Sequence, residues 1–368
     1  MRPLENGDAP AVSARTLRIA VVPGDGIGRE VVAEVVALAS ALRSAGRLAA
    51  DWEELDWGAE RFLATGRAVP AGGFDHLRTF DAILAGAFGD PRVPDGEYMR
   101  EILLGMRFEL DLFINLRPVR CLQESLNPLK RVPAREIDLV IVRENSEGMY
   151  CGAGGIVHRG SPDELALQEM VITRRGVERI VRAAFEIALG RARRKVTLVD
   201  KANALRYAGE LWQRVFAEVA ASHPDVEADH LYADVAAMEM VRNPGRFDVV
   251  VTENLLGDVL SDLAAMLGGG LGLAASGNIH PGRVSMFEPV HGSGPDIAGK
   301  GVACPLAAFA SFGLLLRHVG LASLADEVDG AIAESVRAGE VTPDLGGRCT
   351  TSEVGRAVRT RILDRVAA

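Results

Sequence analysis

The sequence predicts an α/β protein with a largely buried sheet, and three observations support this class. Short runs of Val, Ile and Leu recur along the chain, and stretches with apolar residues at helical spacing lie between them. Of the 368 residues, 48% are hydrophobic and 25% are charged, which provides enough apolar material for a large core in two lobes. Because no linker rich in Pro and Ser separates the lobes, we expect the chain to cross between them.

The first predicted element is a strand that leads through a tight turn into a helix. The apolar run Leu17 to Val22 ends in the sequence PGDGIG at residues 23–28, and apolar residues then recur at helical spacing as far as Leu42. The turn resembles a dinucleotide fingerprint, but its spacing is GxGxG and an acidic residue stands inside it, so a tight turn that needs glycines remains an equal alternative. Further strands are predicted at 81–85, 137–142, 196–199 and 247–251, and helices at 175–189, 206–221 and 255–267.

Charge and cysteine usage exclude several classes of partner. A formal net charge of −9 disfavours contact with nucleic-acid phosphates or anionic lipid, so a small polar ligand is expected. The four cysteines lie far apart and form no CxxC pair, which predicts neither a disulfide framework nor a structural zinc site. Residues 1–16 lack the apolar segment of a secretory signal, and no later stretch is suited to span a bilayer. We therefore expect a disordered N-terminal extension on a cytoplasmic protein without membrane or nucleic-acid partners.

Three arginines form a candidate site for an acidic ligand. Arg107 and Arg117 bracket one segment, and Arg143 ends the strand predicted at 137–142. A guanidinium group binds a carboxylate through two parallel hydrogen bonds, although a single Arg at a strand end is more often a surface group. An acidic protein needs such a cluster, preferably with a metal ion, to hold an acidic substrate.

Two aspartates form a candidate metal site. Asp258 and Asp262 are four residues apart on a predicted helix, so both carboxylates project from one face and repel each other unless a cation lies between them. A hard divalent cation with oxygen ligands is the natural occupant. The alternative is two solvated acids on an outer helix face. Asp234 is a third candidate ligand with a weaker case.

Two further residues are candidates for proton transfer. Lys201 follows the strand predicted at 196–199, where a desolvated ammonium can act as a general base, although surface lysines are far more common. Tyr150 could donate a proton, but a lone tyrosine is more often a core or interface residue. The Gly-rich loop at 152–160 is expected to project as an arm.

Over residues 17–366 the chain resembles the isopropylmalate/isocitrate/tartrate family of β-decarboxylating dehydrogenases. The resemblance implies a two-domain α/β subunit, unlike a Rossmann fold, with a large cofactor-binding domain from 17–112 and 270–368 and a small central domain at 113–269. It also implies an obligate homodimer that an arm at about 150–167 helps to clasp. The motifs that carry the resemblance are PGDGIG at 23, LRP at 116, VREN at 142, VDKAN at 199, RFDVVV at 246, GDVLSDL at 257 and FEPVHGSGPDIAGKG at 287.

The same resemblance implies a role for each candidate residue. Arg107, Arg117 and Arg143 would hold the substrate carboxylates. Mg²⁺ or Mn²⁺ would bind Asp258 and Asp262 together with Asp234 of the partner subunit. Lys201, which would also cross from the partner, would remove the substrate hydroxyl proton as hydride passes to NAD⁺, and Tyr150 would return a proton after CO₂ is lost. The residues implied to bind the cofactor are Glu288, His291, Gly292, Gly294, Asp296, Ile297 and Cys304.

The cofactor loop implies NAD in preference to NADP. Asp296 would accept hydrogen bonds from both hydroxyls of the adenosine ribose and would repel a 2′-phosphate. Relatives that use NADP have Lys-Tyr where this chain has Asp296-Ile297. Cys304 departs from the family pattern, because relatives usually have an Asn there that bonds the adenine.

The motifs give mixed indications of the substrate. Leu103 and Leu104 stand where isopropylmalate dehydrogenases place the leucines that receive the isopropyl group, which predicts 3-isopropylmalate and the leucine pathway. The sequences RENSEG at 143–148 and TRRGV at 173–177 instead resemble the isocitrate, homoisocitrate, tartrate and D-malate branches. A dehydrogenase for one of those acids, or a biosynthetic paralogue for a modified malate, is therefore the alternative. A catalytically silent subunit is disfavoured, because every catalytic group is present.

Overall fold

The computed structural model describes residues 15–94 and 96–365. Most of the predicted N-terminal extension, residues 1–14, lies outside the described residues. No helix in the described part of the chain is long and apolar enough to cross a membrane. All four cysteines are free thiols, as the sequence predicts.

Twelve strands are present in the described ranges, ten of them in one sheet. In chain order they are β1 Leu17–Gly24, β2 Ala50–Glu54, β3 Ala82–Ala87, β4 Ile114–Arg120, β5 Asp138–Glu144, β6 Gly154–Val157, β7 Leu165–Gln168, β8 Lys195–Asp200, β9 Glu227–Tyr232, β10 Val249–Thr252, β11 Ala275–Ile279 and β12 Met286–Pro289. The large sheet has the order β2-β1-β3-β12-β11-β4-β5-β10-β8-β9, and β6 pairs with β7 in a separate hairpin. Pairing is parallel toward both edges, whereas β11 and β4 are antiparallel to their neighbours.

Eleven helices accompany these strands in the same ranges. They are α1 Ile27–Ser44, α2 Ala59–Thr65, α3 Gly73–Leu77, α4 Glu97–Glu109, α5 Arg174–Leu189, α6 Arg206–Ala221, α7 Ala233–Arg242, α8 Asn254–Leu267, α9 Leu306–His318, α10 Ala322–Arg337 and α11 Thr351–Asp364. The predicted α/β class is confirmed, and so are the five predicted strands and the predicted helices. Five strands of the large sheet, β2, β4, β9, β11 and β12, lacked a prediction because they are short or polar.

Neighbouring residues of the strands point into different cores. Val21 and Val140 belong to one large core that also contains buried residues of α1, α5, α6, α9, α10 and α11. Their neighbours Val22 and Ile141 face the opposite side of the sheet, where two separate smaller cores lie. One smaller core is formed with α2, α3 and α4, and the other with α7 and α8. The division into two domains near residues 112 and 270 stays a prediction.

The turn between β1 and α1 is held by a buried carboxylate. Asp25 accepts hydrogen bonds from the backbone nitrogens of Ala59 at 2.8 Å and Gly89 at 3.1 Å, and from the Tyr98 hydroxyl at 2.8 Å. Gly26 has a φ of 52°, and a Cβ there would lie 2.1 Å from the carbonyl oxygen of Ser293. The tight-turn interpretation is therefore confirmed, and its glycine lets the loop after β12 approach the start of α1.

Candidate active site

A strip of polar residues crosses the middle of the large sheet on the face that carries the two smaller cores. Register pairs Glu288 with Ser276, Asn278 with Asn115, and Asn115 with Arg143 across four adjacent strands. Directly paired residues share a face of a sheet, and Arg117 lies on this face two residues beyond Asn115. We call this set the polar strip; its members are Glu288, Ser276, Asn278, Asn115, Arg117 and Arg143.

The three predicted arginines come together at the polar strip. Arg107 on α4 and Arg117 on β4 are buried, and Arg143 at the end of β5 is 1% exposed. Burial, followed by the positive charge of Arg107, lowers the pKa of Arg143 to about 10. Burial also lowers the pKa of Arg107, and the charge of Arg117 adds to that effect. Three buried guanidinium groups close to one another form a cationic site that is suited to an anion.

Asp258 and Asp262 of α8 face these arginines. Asp258 forms an ion pair with Arg143, and Arg117 Nη1 donates to Asp262 Oδ1 at 3.2 Å. The alternative of two solvated acids on an outer helix face is therefore wrong, although the Asp262 side chain remains 60% exposed. Glu253 fixes the start of α8, because its carboxylate accepts hydrogen bonds from the backbone nitrogens at 255 and 256.

Tyr150 and Asn254 complete the surroundings of Arg143. The Tyr150 hydroxyl donates to Asp258 Oδ2 at 3.0 Å, and the Arg143 guanidinium lies 5.6 Å from the tyrosine ring centroid. Burial and the negative charge of Asp258 raise the pKa of Tyr150, so the phenol keeps its proton at neutral pH. Asn254 Oδ1 accepts from Arg143 Nε at 3.0 Å and from Nη2 at 2.8 Å. The predictions missed Asn254, although an Asn at the first position of an apolar helix was an available signal.

Lys201 and Asp234 lie together but form a separate pair. Lys201 Nζ is 2.8 Å from Asp234 Oδ1, and their side chains are 31% and 61% exposed. The hydrogen bond from Lys201 lowers the pKa of Asp234. The expectation of a desolvated lysine is thus wrong for a single copy of the chain, since the strand before it is buried but its own side chain reaches solvent. Among the described residues of one copy, no three His, Cys, Asp or Glu side chains are grouped to hold a metal ion.

The predicted cofactor loop begins at the polar strip. Glu288 is buried and its Oε1 accepts a hydrogen bond from Asn278 Nδ2 at 2.8 Å. His291 Nδ1 contacts the Gly292 carbonyl oxygen at 3.0 Å, and burial lowers the pKa of this imidazole. His291 Nε2 is buried and has no hydrogen-bond partner among the described residues, which leaves it available to a ligand.

The rest of the loop runs from an exposed tip into the large core. Gly294 has a φ of 48°, which favours glycine, and Asp296 is exposed. Ile297 packs against the large core, and Cys304 lies within it. Burial raises the pKa of the Cys304 thiol to about 12, so the thiol stays neutral and is a weak hydrogen-bond group at this position.

The two predicted pocket leucines have different surroundings. Both are half-buried on α4, and Leu103 packs against the core formed with α2, α3 and α4. Leu104 does not join a core within the described residues, and it precedes Arg107 by three positions on the same face of the helix. Arg100 is exposed one turn before Leu104. This helix face therefore presents an apolar side chain between two guanidinium groups.

The motifs RENSEG at 143–148 and TRRGV at 173–177, which resemble other branches of the family, have local structural roles. Thr173 caps α5 by accepting a hydrogen bond from the Gly176 backbone nitrogen, and its own hydroxyl donates to Glu147 at 2.6 Å. Ser146 accepts a hydrogen bond from Arg179 Nη2 at 2.5 Å. Hydrogen bonds within the chain thus give Thr173 and Ser146 a local structural role.

The predicted arm is the hairpin of β6 and β7. Every residue of both strands is exposed, including Ile156, Val157, Leu165 and Leu167. A two-stranded hairpin with uncovered apolar side chains is only marginally stable by itself in water.

Fold and site together define an α/β protein with a buried cluster of arginines and facing carboxylates at the centre of a mixed sheet. A family model described as isocitrate/isopropylmalate dehydrogenase matches residues 18–358. The chain therefore belongs to the isocitrate/isopropylmalate dehydrogenase family and is an enzyme of this dehydrogenase class.

Individual relatives agree with this assignment. A 3-isopropylmalate dehydrogenase from Thermobifida fusca is 49% identical over 96% of this chain and 100% of its own length. A 3-isopropylmalate dehydrogenase from Frankia casuarinae is 51% identical over 87% of this chain and 92% of its own. Among solved structures, an isocitrate dehydrogenase from Methylococcus capsulatus is similar with a TM-score of 0.86 and 36% identity, covering 94% of this chain and 99% of that one.

Proposed function

We propose that this chain catalyses the oxidative decarboxylation of 3-isopropylmalate with NAD⁺ and Mg²⁺ or Mn²⁺, as a cytoplasmic homodimer in leucine biosynthesis. The observation that carries the proposal is the convergence of Arg107, Arg117 and Arg143 with the carboxylates of α8. Two relatives that are about half identical to this chain are named 3-isopropylmalate dehydrogenase, which supports 3-isopropylmalate as the substrate.

The arginines would bind the two carboxylates of the acid. Arg143 is fixed by two hydrogen bonds to Asn254, so its remaining donors point in a set direction. Displacing the Arg143–Asp258 ion pair would free both groups, one for a substrate carboxylate and the other for a cation. Leu104 would then contact the apolar branch of the acid, and Leu103 would support it from the core side.

The residues at this site fit a divalent cation. Asp258 and Asp262 offer carboxylate oxygens on one face of α8, and these hard ligands suit Mg²⁺ or Mn²⁺. Asp234 of a second copy, whose side chain is exposed in a single copy, would supply the third carboxylate. When bound, such an ion acidifies a coordinated hydroxyl and stabilises enolate charge.

Two side chains would move protons. Lys201 of the second copy would accept the proton of the C2 hydroxyl, directly or through water, while hydride leaves for NAD⁺. After CO₂ departs, Tyr150 would protonate the remaining carbon; its raised pKa keeps that proton available at neutral pH. The hydrogen bond to Asp258 holds the phenol beside the arginine cluster.

The loop after β12 fits a dinucleotide. The unpartnered Nε2 of His291 offers a buried polar atom, and Gly292 and Gly294 let a ligand approach the backbone. The exposed carboxylate of Asp296 would accept the ribose hydroxyls and disfavour a 2′-phosphate. Ile297 and the buried Cys304 would contribute mainly apolar contact to the adenosine.

A malate with a charged substituent is the second candidate. Arg100 is exposed on the same helix face as Leu104 and Arg107, so it could meet an anionic group beyond the apolar side chain. This observation favours an isocitrate-type or modified malate substrate in place of an isopropyl group.

Initial rates of NADH formation with a panel of acids test the proposal. The panel contains 3-isopropylmalate, D-malate, tartrate, isocitrate and homoisocitrate, each with NAD⁺ and Mn²⁺. We expect kcat/KM for 3-isopropylmalate to exceed that for the other acids by about tenfold or more, because an apolar branch in a matched pocket contributes 1–3 kcal/mol. Equal turnover of D-malate, or a preference for a tricarboxylic acid, would reject 3-isopropylmalate as the substrate.

A further inference from the structure

We propose that Asn278 is a positioning residue that holds Glu288 on the cofactor side and Arg117 on the substrate side through one amide group. This inference rests on the proposed function, because it assumes that Glu288 faces the dinucleotide and Arg117 faces the acid. Neither the family motifs nor the predictions from sequence assigned a role to Asn278.

The contacts of Asn278 form the centre of a buried hydrogen-bond network. Its Nδ2 donates to Glu288 Oε1 at 2.8 Å. Its Oδ1 accepts from Asn115 Nδ2 at 3.0 Å and from Asn145 Nδ2 at 2.9 Å. Asn115 Oδ1 in turn accepts from Arg117 Nε at 2.9 Å. An unbroken chain of hydrogen bonds thus joins the Arg117 guanidinium to the Glu288 carboxylate.

The amides of this network are buried, so their hydrogen bonds to one another are hard to replace. Asn115 and Asn278 are 0% exposed and Asn145 is 1% exposed, so water cannot replace a lost partner without a cavity for it. The antiparallel pairing of β11 with β4 places Asn278 directly opposite Asn115, which fixes the distance between the two amides. Each amide has one orientation that satisfies both neighbours, because an N–H must face Glu288 and an oxygen must face Asn115.

Mutation can remove the N–H donor of the Asn278 amide while keeping its oxygen acceptor. Asn278→Asp keeps the oxygen that accepts from Asn115 and Asn145, but it replaces the N–H donor with a carboxylate oxygen beside Glu288. Two adjacent carboxylates repel, so one of them takes a proton at higher pH than usual, and that proton restores an O–H donor. Asn278→Leu removes the donor and the acceptor at once.

The experiment measures NADH dissociation constants by fluorescence titration and the KM of the acid at saturating NAD⁺. For Asn278→Asp at pH 8 we expect the NADH dissociation constant to rise about tenfold or more, with the KM of the acid within about threefold of wild type. The NADH defect should shrink as the pH falls toward 5.5, whereas wild type should show no such recovery. Asn278→Leu should raise both constants about tenfold at every pH.

Asn127→Asp is a matched control. Asn127 Nδ2 also donates to a glutamate, Glu124 Oε1 at 3.1 Å, but it lies in a surface turn away from the polar strip. We expect this variant to bind NADH and acid like wild type. Unchanged NADH binding in Asn278→Asp at pH 8, or an equal loss at both pH values, would overturn the proposal.

The wild-type results show whether this inference and the proposed function stand or fall together. If wild type binds NADH but prefers another acid, the proposed substrate fails while the NADH titrations still decide the role of Asn278. If wild type binds no NADH, both fail. Should Asn278→Leu not fold, as judged by its thermal unfolding, the isosteric Asn278→Asp variant and its pH recovery decide the matter.

Discussion

Lys201 Nζ and Asp234 Oδ1 are 2.8 Å apart at the solvent-facing end of β8 and the start of α7. Both side chains are accessible in a single copy, and neither belongs to the ion pairs that join α8 to the arginines. If Lys201 is the proposed base and Asp234 the proposed metal ligand, their place outside the arginine site is what two copies that build each site together would produce. This relationship makes assembly the central question for the enzyme.

Charged residues on the arm, the hairpin of β6 and β7, should separate the two copies of the chain. Leu165→Asp combined with Leu167→Asp places charges on apolar side chains that are about half exposed in one copy. We expect sedimentation velocity to show a monomer, and turnover to be lost because each monomer lacks Lys201 and Asp234 of the other. Asp163→Ser in the same loop is the control and should stay dimeric. A double variant that remains dimeric would show that the hairpin does not hold the pair.

Arg143 should not tolerate replacement by lysine. Arg143→Lys removes the paired donors to Asn254 and the planar geometry that a carboxylate needs. We expect the KM of the acid to rise between about tenfold and a hundredfold, as for the loss of one or two charged hydrogen bonds. Steady-state kinetics test this, and Arg182→Lys, which changes an exposed pair with Glu178, should behave like wild type. An unchanged KM would remove Arg143 from the substrate site.

The Asp25 carboxylate should be a major source of stability at the turn between β1 and α1. Asp25→Ala leaves three donors, including the Tyr98 hydroxyl, without their acceptor. We expect the free energy of unfolding to fall by about 3 kcal/mol or more. Asp51→Ala removes an exposed pair with Arg43 and should cost less than about 1 kcal/mol. Equal effects of the two variants in urea denaturation would contradict this account of the turn.

Stability should decrease in mildly acidic solution. Burial lowers the pKa of His318 below its ordinary value of 6.5, so the folded protein takes up its proton less readily than the unfolded chain. The contribution of neutral His318 is therefore present above pH 6.5 and is lost as the pH falls through the lowered pKa. The melting temperature should drop between pH 7.5 and 5.5, and His318→Gln should reduce that drop. Parallel curves for the two proteins would assign the effect to other groups, such as His291.

Much of the fold was predictable because its buried strands and helices repeat regular apolar patterns. β5 and β10 contain uninterrupted runs of Val, Ile and Leu, and in β8 the run is interrupted only by Thr197. Helix α6 was predicted with its observed bounds. The strands that were missed lie at sheet edges or carry the site. β9 is polar because it is an edge strand, and β11 has the sequence ASGNI, whose small and polar residues serve the polar strip.

The sequence predicted the charged residues of the candidate site but not its neutral amide side chains. Arg107, Arg117, Arg143, Asp258 and Asp262 stand out in the sequence, and the structure brings them together. Asn115 and Asn278 carry no charge, and their importance depends on which strand lies beside which. Register across antiparallel strands β4 and β11 is a tertiary property, so no local pattern could have revealed it.

Mixing two inactive variants tests the shared site most directly. Lys201→Met and Asp258→Asn should each reduce kcat by about a hundredfold or more as homodimers. In a mixed dimer, one site carries both defects and the other carries neither. Random assortment of equal amounts should therefore restore about a quarter of wild-type activity, and purified mixed dimers about half. If mixed dimers that sedimentation confirms are no more active than their parents, then Lys201 and Asp258 serve the same site within one copy, and the account of a site shared between two copies is wrong.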